Sequence, residues 1–231
     1  MKKTLLIAAA GLLLASCNGG SDTTTEQQST VVFNPQYKSA DLAMQELKGQ
    51  VKEVQYYNYE CDEDGKNAEA EDPNYEHMIM YFFFDENGTM TKGYAYNKDA
   101  PGPKLVRNEK GQIEHFEEYF KQMDFTFVDK FTYNENGNID VDEVLGYEGH
   151  TKTTFKYDEN CTLTSSETTQ SGEGVMIVSS STYTVVDTDA QGNWTRRLMK
   201  MTSKEGHFRG EQKIAPSTTS YTVEVRKIIY Y

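Results

Sequence analysis

The chain has 231 residues, a net charge of −13, 26% charged residues and a mean hydropathy of −0.72. So acidic a surface argues against nucleic acid and against spreading on anionic lipid, and the length suits one sizeable domain or two small ones. Three cysteines are too few for a disulfide framework.

The N-terminus begins MKKTLLIAAAGLLLASC. Lys2 and Lys3 form a positive n-region. Thr4 to Leu14 form an apolar stretch shorter than a membrane span, as in a secretory signal. Leu14-Ala15-Ser16-Cys17 resembles the bacterial lipobox, which implies cleavage before Cys17 and acylation of that residue. Loss of residues 1–16 takes the charge from −13 to −15 and leaves 215 residues. Acyl chains bind bilayers at about 0.8 kcal/mol per buried CH₂, so several hold a soluble domain firmly. Residues 18–30, NGGSDTTTEQQST, lack apolar side chains and read as a flexible tether. Within it, Asp22-Thr23-Thr24 resembles a short O-glycosylation acceptor pattern. The organisation expected is a signal peptide at 1–16, the lipidated cysteine and tether at 17–36, and a single all-β repeat domain at 37–231.

A short helix is predicted at Ser39–Leu47, capped by Ser39. Beyond it the chain becomes runs of Tyr, Phe, Val, Ile and Thr broken by polar clusters, which is strand composition. The clusters align as Asp62-Glu-Asp-Gly65, Asp85-Glu-Asn-Gly88, Asn108-Glu-Lys-Gly111, Asn134-Glu-Asn-Gly137, Asp158-Glu-Asn-Cys161, Asp189-Ala-Gln-Gly192 and Ser203-Lys-Glu-Gly206. Asp, Asn or Ser first and Gly fourth is the signature of a type I turn with a left-handed last residue, the joint of short hairpins. In such a hairpin the residue before the turn faces the residue two after the fourth position. The pairs are Phe84 with Met90, Tyr133 with Ile139 and Tyr157 with Leu163. Arg107 with Ile113, Thr188 with Trp194 and Thr202 with Phe208 keep only the second apolar partner. The first turn, with Asn67 at that place, is expected to open into a loop over Lys66–Asn74. Spacings of 23, 23, 26, 24, 31 and 14 residues between fourth positions suit two-strand units. Return turns are expected at Asp99–Gly102, around Gly149 and at Ser171–Gly174. The fold predicted is an all-β antiparallel meander of roughly a dozen strands built from repeated hairpins. It would form a curled sheet or open barrel, with a closed lipocalin-like barrel as the alternative. HMIMYFFF is apolar on both faces, is expected to be buried on both sides and belongs in the middle of the structure, whereas EHFEEYF, with charges on both faces, belongs nearer an edge or rim.

Tyr157-Asp158-x-x-x-x-Leu163, Tyr133-Asn-Glu-Asn-Gly137-Asn-Ile139 and Phe84-Asp-Glu-Asn-Gly88-Thr-Met90 resemble the tyrosine–aspartate repeats of RHS and YD-repeat proteins. Leu47–Val54, Gly192–Arg196 and Arg226–Tyr231 look like the ends of Bacteroidetes-type envelope lipoproteins bearing such repeats. The resemblance spans roughly residues 47–231. It implies an exported, lipid-anchored protein of the cell envelope, at the outer membrane, and specifies a hairpin rather than a chemistry.

Few residues point to chemistry. His77, His115, His150 and His207 lack partners at metal spacing, and neither a nucleophile motif nor a phosphate-binding loop is present. Asp62-x-Asp64-Gly65 has the start of a calcium loop without its remaining ligands, and the turn accounts for the same residues. Neither metal nor cofactor is called for. Trp194, just after a turn, is open to a surface role stacking on a ligand, with core packing the plainer reading. Cys161 stands where glycine is expected. A decayed repeat copy is the leading reading, a disulfide with Cys61 is open if the sheet curls enough to join them, and a reactive thiol comes last because the turn offers no basic residue to activate it. The leading expectation is a non-enzymatic binding or interaction module, held to the bilayer by acylated Cys17, with a glycan or protein partner. The alternatives are a lipocalin-like carrier of a small ligand and a hydrolase built on paired carboxylates.

Overall fold

Five turns of one chemistry gather at one end of the molecule. In each, the first side chain accepts backbone N–H groups two and four residues on, as Asp85 Oδ1 does from Asn87 and Thr89 at 2.9 Å. Asn108, Asn134, Asp158 and Asp189 repeat the pattern. The fourth residues Gly88, Gly111, Gly137, Gly192 and Cys161 are left-handed, with φ from +60° to +82°. An oxygen acceptor on a short side chain competes with the ladder for these N–H groups, and so ends each strand where it does.

The computed structural model describes residues 34–66, 80–95, 98–207 and 213–231. The signal peptide, Cys17, the tether before Asn34, the predicted loop beyond Lys66 and Phe208 lie outside the described residues. Helix α1 spans Ala40–Met44, with Ser39 as cap. The strands are β1 Val51–Glu60, β2 Met80–Phe84, β3 Met90–Ala95, β4 Lys104–Arg107, β5 Ile113–Phe120, β6 Phe125–Tyr133 and β7 Ile139–Leu145. They continue with β8 Gly149–Tyr157, β9 Leu163–Gly172, β10 Val175–Thr188, β11 Trp194–His207, the two-residue β12 Lys213–Ile214 and β13 Thr218–Tyr230. All pairings are antiparallel, in the order β3-β2-β1-β13-β11-β10-β9-β8-β7-β6-β5-β4, with β12 on β11 alone. The twelve-stranded meander curls into a nearly closed barrel. Its seam lies between β3 and β4, which share no ladder, so the fully closed alternative does not hold.

The predicted facing pairs Phe84–Met90, Arg107–Ile113, Tyr133–Ile139, Tyr157–Leu163 and Thr188–Trp194 all occur. Two of the three return turns occur, as Gly146 N–H donates to Gly149 O and left-handed Glu173 and Gly174 connect β9 to β10, whereas Asp99–Gly102 lies between β3 and β4, which do not pair. Three expectations need correction. Gly206 is not a turn residue but lies inside β11, opposite Met176 on one side and Ile214 on the other. Ladders from β10 and β13 hold both edges of β11 through Ser203, so the strand runs past its turn-like sequence. β2 is not central; it lies one strand from the seam, with Phe82 and Phe84 buried inward and Tyr81 and Phe83 half-buried outward. The turn ending at Gly65 (φ +71°) keeps the expected geometry, but it follows the far end of β1, away from the other five.

The turn end is sealed by the segment from Asn34 to Lys48. Ser39 Oγ accepts from Leu42 N–H and donates to Gly88 O at 2.6 Å. Any side chain at Gly88 would strike Leu42, whose Cδ1 lies 2.6 Å from where a Cβ would stand. Leu42, Met44 and Leu47 fill the barrel end against Val51, Val54, Phe82, Phe84, Met90, Ile113, Phe116 and Phe131. Burial of such side chains stabilises by roughly 1.5–3 kcal/mol each, so sealing this end supplies much of the core. Polar ties fix the segment's register. Asn34 N–H donates to Asn136 O, Asn138 Nδ2 to Ala43 O, Leu163 N–H to Glu46 Oε1, and Lys48 N–H to Asn193 Oδ1. Buried Asp41 accepts from Met90 N–H at 2.6 Å and is gripped by both terminal nitrogens of Arg107 at 2.7 and 2.9 Å.

Cys61 and Cys161 are free, which corrects the disulfide expectation. Ten residues of β1, roughly 33 Å of strand, separate the end holding Cys61 from the turn end holding Cys161. Cys161 is instead a core residue, 2% exposed, packed against Tyr37 and accepting from Asn34 Nδ2 at 3.3 Å. Its left-handed strain, about 1–2 kcal/mol, opposes the packing of its sulfur. Cys161→Gly relieves the strain and loses the packing, so its stability to urea should stay within about 1 kcal/mol of the parent. Cys161→Ala keeps the strain and loses the sulfur, and should be less stable by about 1–2 kcal/mol.

Candidate functional site

At the sealed end the polar side chains satisfy one another. Trp194 is only 4% exposed and packs between two guanidinium groups, Arg226 at 3.6 Å and Arg197 at 4.1 Å from its ring centre. A stacking role on an external ligand is therefore corrected: both ring faces are occupied, and the side chain belongs to the core. Burial works against the charge of Arg197, but Glu224 and Glu46 outweigh it and hold the guanidinium protonated. Burial likewise raises Tyr37, to about 12. A groove of about 280 Å³ runs here between Cys161 and Trp194, yet Glu46 on its wall already accepts from Leu163 N–H and meets Arg197 and Trp194.

The other end differs. β5, β6 and β7 carry Phe116, Phe120, Phe127, Val128 and Val144 around a cavity of about 230 Å³, closed on the seam side by Tyr94 and Pro103. That exceeds the roughly 150 Å³ that accommodates benzene. The aromatic surface continues outward. Phe120 meets Phe127 edge-on at 4.9 Å, Phe127 meets Phe125 at 5.2 Å and Phe125 meets Tyr147 at 5.6 Å. Tyr119 and Tyr147, 59% and 57% exposed, mark the rim.

Three carboxyl groups stand in this half: half-buried Glu118, which lines the cavity from β5, and the neighbours Asp129 and Asp142. Asp129 faces Val144 across the β6–β7 ladder, and Asp142 faces Phe131, so both share the inward face as diagonal neighbours. Asp129 lines the cavity, and the ladder register sets Asp142 beside it. Burial, reinforced by Asp142, holds the proton on Asp129 well above the usual carboxylate range, and burial raises Asp142 as well. Each carboxyl keeps one fully buried oxygen without a hydrogen-bond partner among the described residues. Tyr94 lines the same cavity, close enough for both carboxylates to act on its phenol after burial has raised it. It sits at φ +48°, an uncommon conformation for a bulky residue, and packs edge-on against Phe82 and Phe116.

Sequence reasoning passed over this pair, although a signal was present. Phe125, Phe127, Phe131 and Tyr133 share one face of β6, and Asp129 is the polar residue in that apolar register. Among the described residues no group of three or more His, Cys, Asp or Glu could hold a metal. His115 and His150 instead meet Glu117 and Glu143 across 3.0 and 2.9 Å. No protein-family model, no curated protein and no solved structure matches the chain.

The pair couples folding to pH. The native state keeps a proton that the unfolded chain releases near pH 4. Between about pH 4 and neutrality the native protein thus holds more protons than the unfolded chain, and stability falls as pH rises over that window. Asp129→Asn removes the titration and offers an amide donor to Asp142. At pH 8 the variant should be more stable than the parent by about 1–2 kcal/mol, shrinking towards zero near pH 4, in urea unfolding. A parent with flat stability from pH 4 to 8 would contradict the shared proton.

Proposed function

We propose that this chain is a non-enzymatic binding module of the cell envelope, tethered through acylated Cys17, whose open barrel end takes a small and largely apolar ligand. The observation that carries the reading is the aromatic cavity of about 230 Å³ at the end of the barrel that the N-terminal segment leaves open. A filled, sealed end opposite an aromatic hollow is the arrangement of a cup, and apolar pockets with a few polar groups are the usual form of small-ligand sites. A hydrolase with paired carboxylates draws no support from Asp129 and Asp142. They are diagonal neighbours on one wall of the barrel, whereas glycosidase carboxyls flank the scissile bond from two sides. Docking of a glycan or protein partner is favoured by one observation, the exposed rim of Tyr119, Met123 and Tyr147.

The test uses the chain carrying Cys17→Ser, which should move from the membrane to the soluble fraction. There the environment-sensitive dye N-phenyl-1-naphthylamine should bind with a rise in fluorescence. Val144→Trp, which fills the cavity from β7, should weaken that binding about tenfold or more, about 1.4 kcal/mol. Dye binding unchanged by Val144→Trp would overturn the pocket, and a Cys17→Ser chain still in the membrane would overturn the anchor.

A further inference from the structure

The carboxyl pair at the cavity, Asp129 on its wall and Asp142 beside it, has no cation among the described residues. The register sets the two carboxyls side by side on the inward face, each with one fully buried oxygen that has no hydrogen-bond partner among the described residues, and with one proton between them such a pair keeps one negative charge. The inward-reaching arginines are engaged elsewhere. Arg107 grips Asp41, Arg197 meets Glu224 and Glu46, and Arg226 donates to Trp194 O and Gln45 O. Lys130, next to Asp129, lies on the outward face of β6, where it is exposed. Among the described residues no lysine, arginine or histidine forms an ion pair with Asp129 or Asp142. A charge held away from water without a partner is unfavourable by several kcal/mol, and a structure that keeps one gains most when a counter-charge arrives.

The surroundings specify that counter-charge. Ring faces attract cations, and Tyr94, Phe116, Phe120 and Phe127 stand around the same hollow. Tyr94 is packed closely by its neighbours yet keeps accessible surface on the cavity, and its hydroxyl has no hydrogen-bond partner among the described residues. Glu118 also lines the hollow and the other walls are rings and hydrocarbon, but among the described residues no group of three or more His, Cys, Asp or Glu is placed to hold a metal ion. A compact ammonium on a flat apolar body fits both features: its N–H groups can reach the carboxyls while the body lies among the rings. The net charge of −13 favours the approach of a cation.

We propose that the cavity between β5, β6 and β7 selects organic amines, the ammonium held by the Asp129–Asp142 pair and Tyr94, and an aromatic or bicyclic body held by Phe116, Phe120 and Phe127. The proposal rests on the ligand-binding reading above and names the ligand class for that pocket.

The test is titration calorimetry of the full chain at pH 7 with 2-naphthylmethylamine and with 2-naphthylmethanol, which share a ring and differ in charge. The amine should bind about tenfold tighter or better. Asp129→Asn with Asp142→Asn should abolish that advantage and leave the alcohol's affinity within about twofold. Retained alcohol binding shows that the double variant is folded, and Asp142→Asn alone should give an intermediate preference if it is not. Equal affinities in the parent would overturn amine selection while leaving the pocket as a ligand site. An amine preference that survives the double substitution would place the cation elsewhere and overturn the proposal. Binding of neither compound would overturn the pocket itself, and amine selection with it.

Discussion

The barrel depends on one buried carboxylate. Its two edge strands share no ladder, and a sheet with two free edges tends to splay or to pair with other chains. Asp41, on the short helix α1, accepts from the N–H of Met90, the first residue of β3, and from the guanidinium of Arg107, the last residue of β4. Arg107 also donates to Met90 O and Gly111 O, so one side chain from outside the sheet ties the two edges across the seam. Two-pronged, charge-assisted bonds in a nearly dry setting are strong and directional. Loss of either partner leaves the other buried and uncompensated, so the clasp acts as a unit.

From this clasp the asymmetry of the molecule follows. The segment that brings Asp41 also brings Leu42, Met44 and Leu47, and it crosses the turns at Gly88, Gly137, Cys161 and Gly192. One end is filled because a single segment meets the last turn of every long hairpin. Nothing comparable is seen at the other end among the described residues, so Phe116, Phe120 and Phe127 border a hollow instead of a core. The cavity, the carboxyl pair beside it and the exposed rim are then parts of one feature: the half of the barrel that the described residues leave unfilled.

Much of this was legible in the residues. The Asx-x-x-Gly clusters located five turns at one end and five facing pairs to the residue, because turn chemistry and hairpin register are local. The capped helix at Ser39 was legible for the same reason. Three things were not. The Ser203–Gly206 cluster looks like its sisters, but ladders on both sides of β11 override it, and those ladders are tertiary. The packing of Cys161 against Tyr37, and of Trp194 between Arg197 and Arg226, joins residues more than thirty positions apart in places and has no short-range mark. The Asp129–Asp142 pair lies between. Alternation along β6 turns Asp129 inward, but only the β6–β7 register brings Asp142 to it.

The central claim is that the seam is closed by Asp41 and Arg107 acting together. A double-mutant cycle of Asp41→Ala and Arg107→Ala, read by urea unfolding, tests it most directly. A clasp predicts a coupling of about 2 kcal/mol or more, with the double variant little worse than either single one. Additive effects, with a coupling below about 0.5 kcal/mol, would mean that the two edges are held by the surrounding apolar core and that Asp41 is incidental to it.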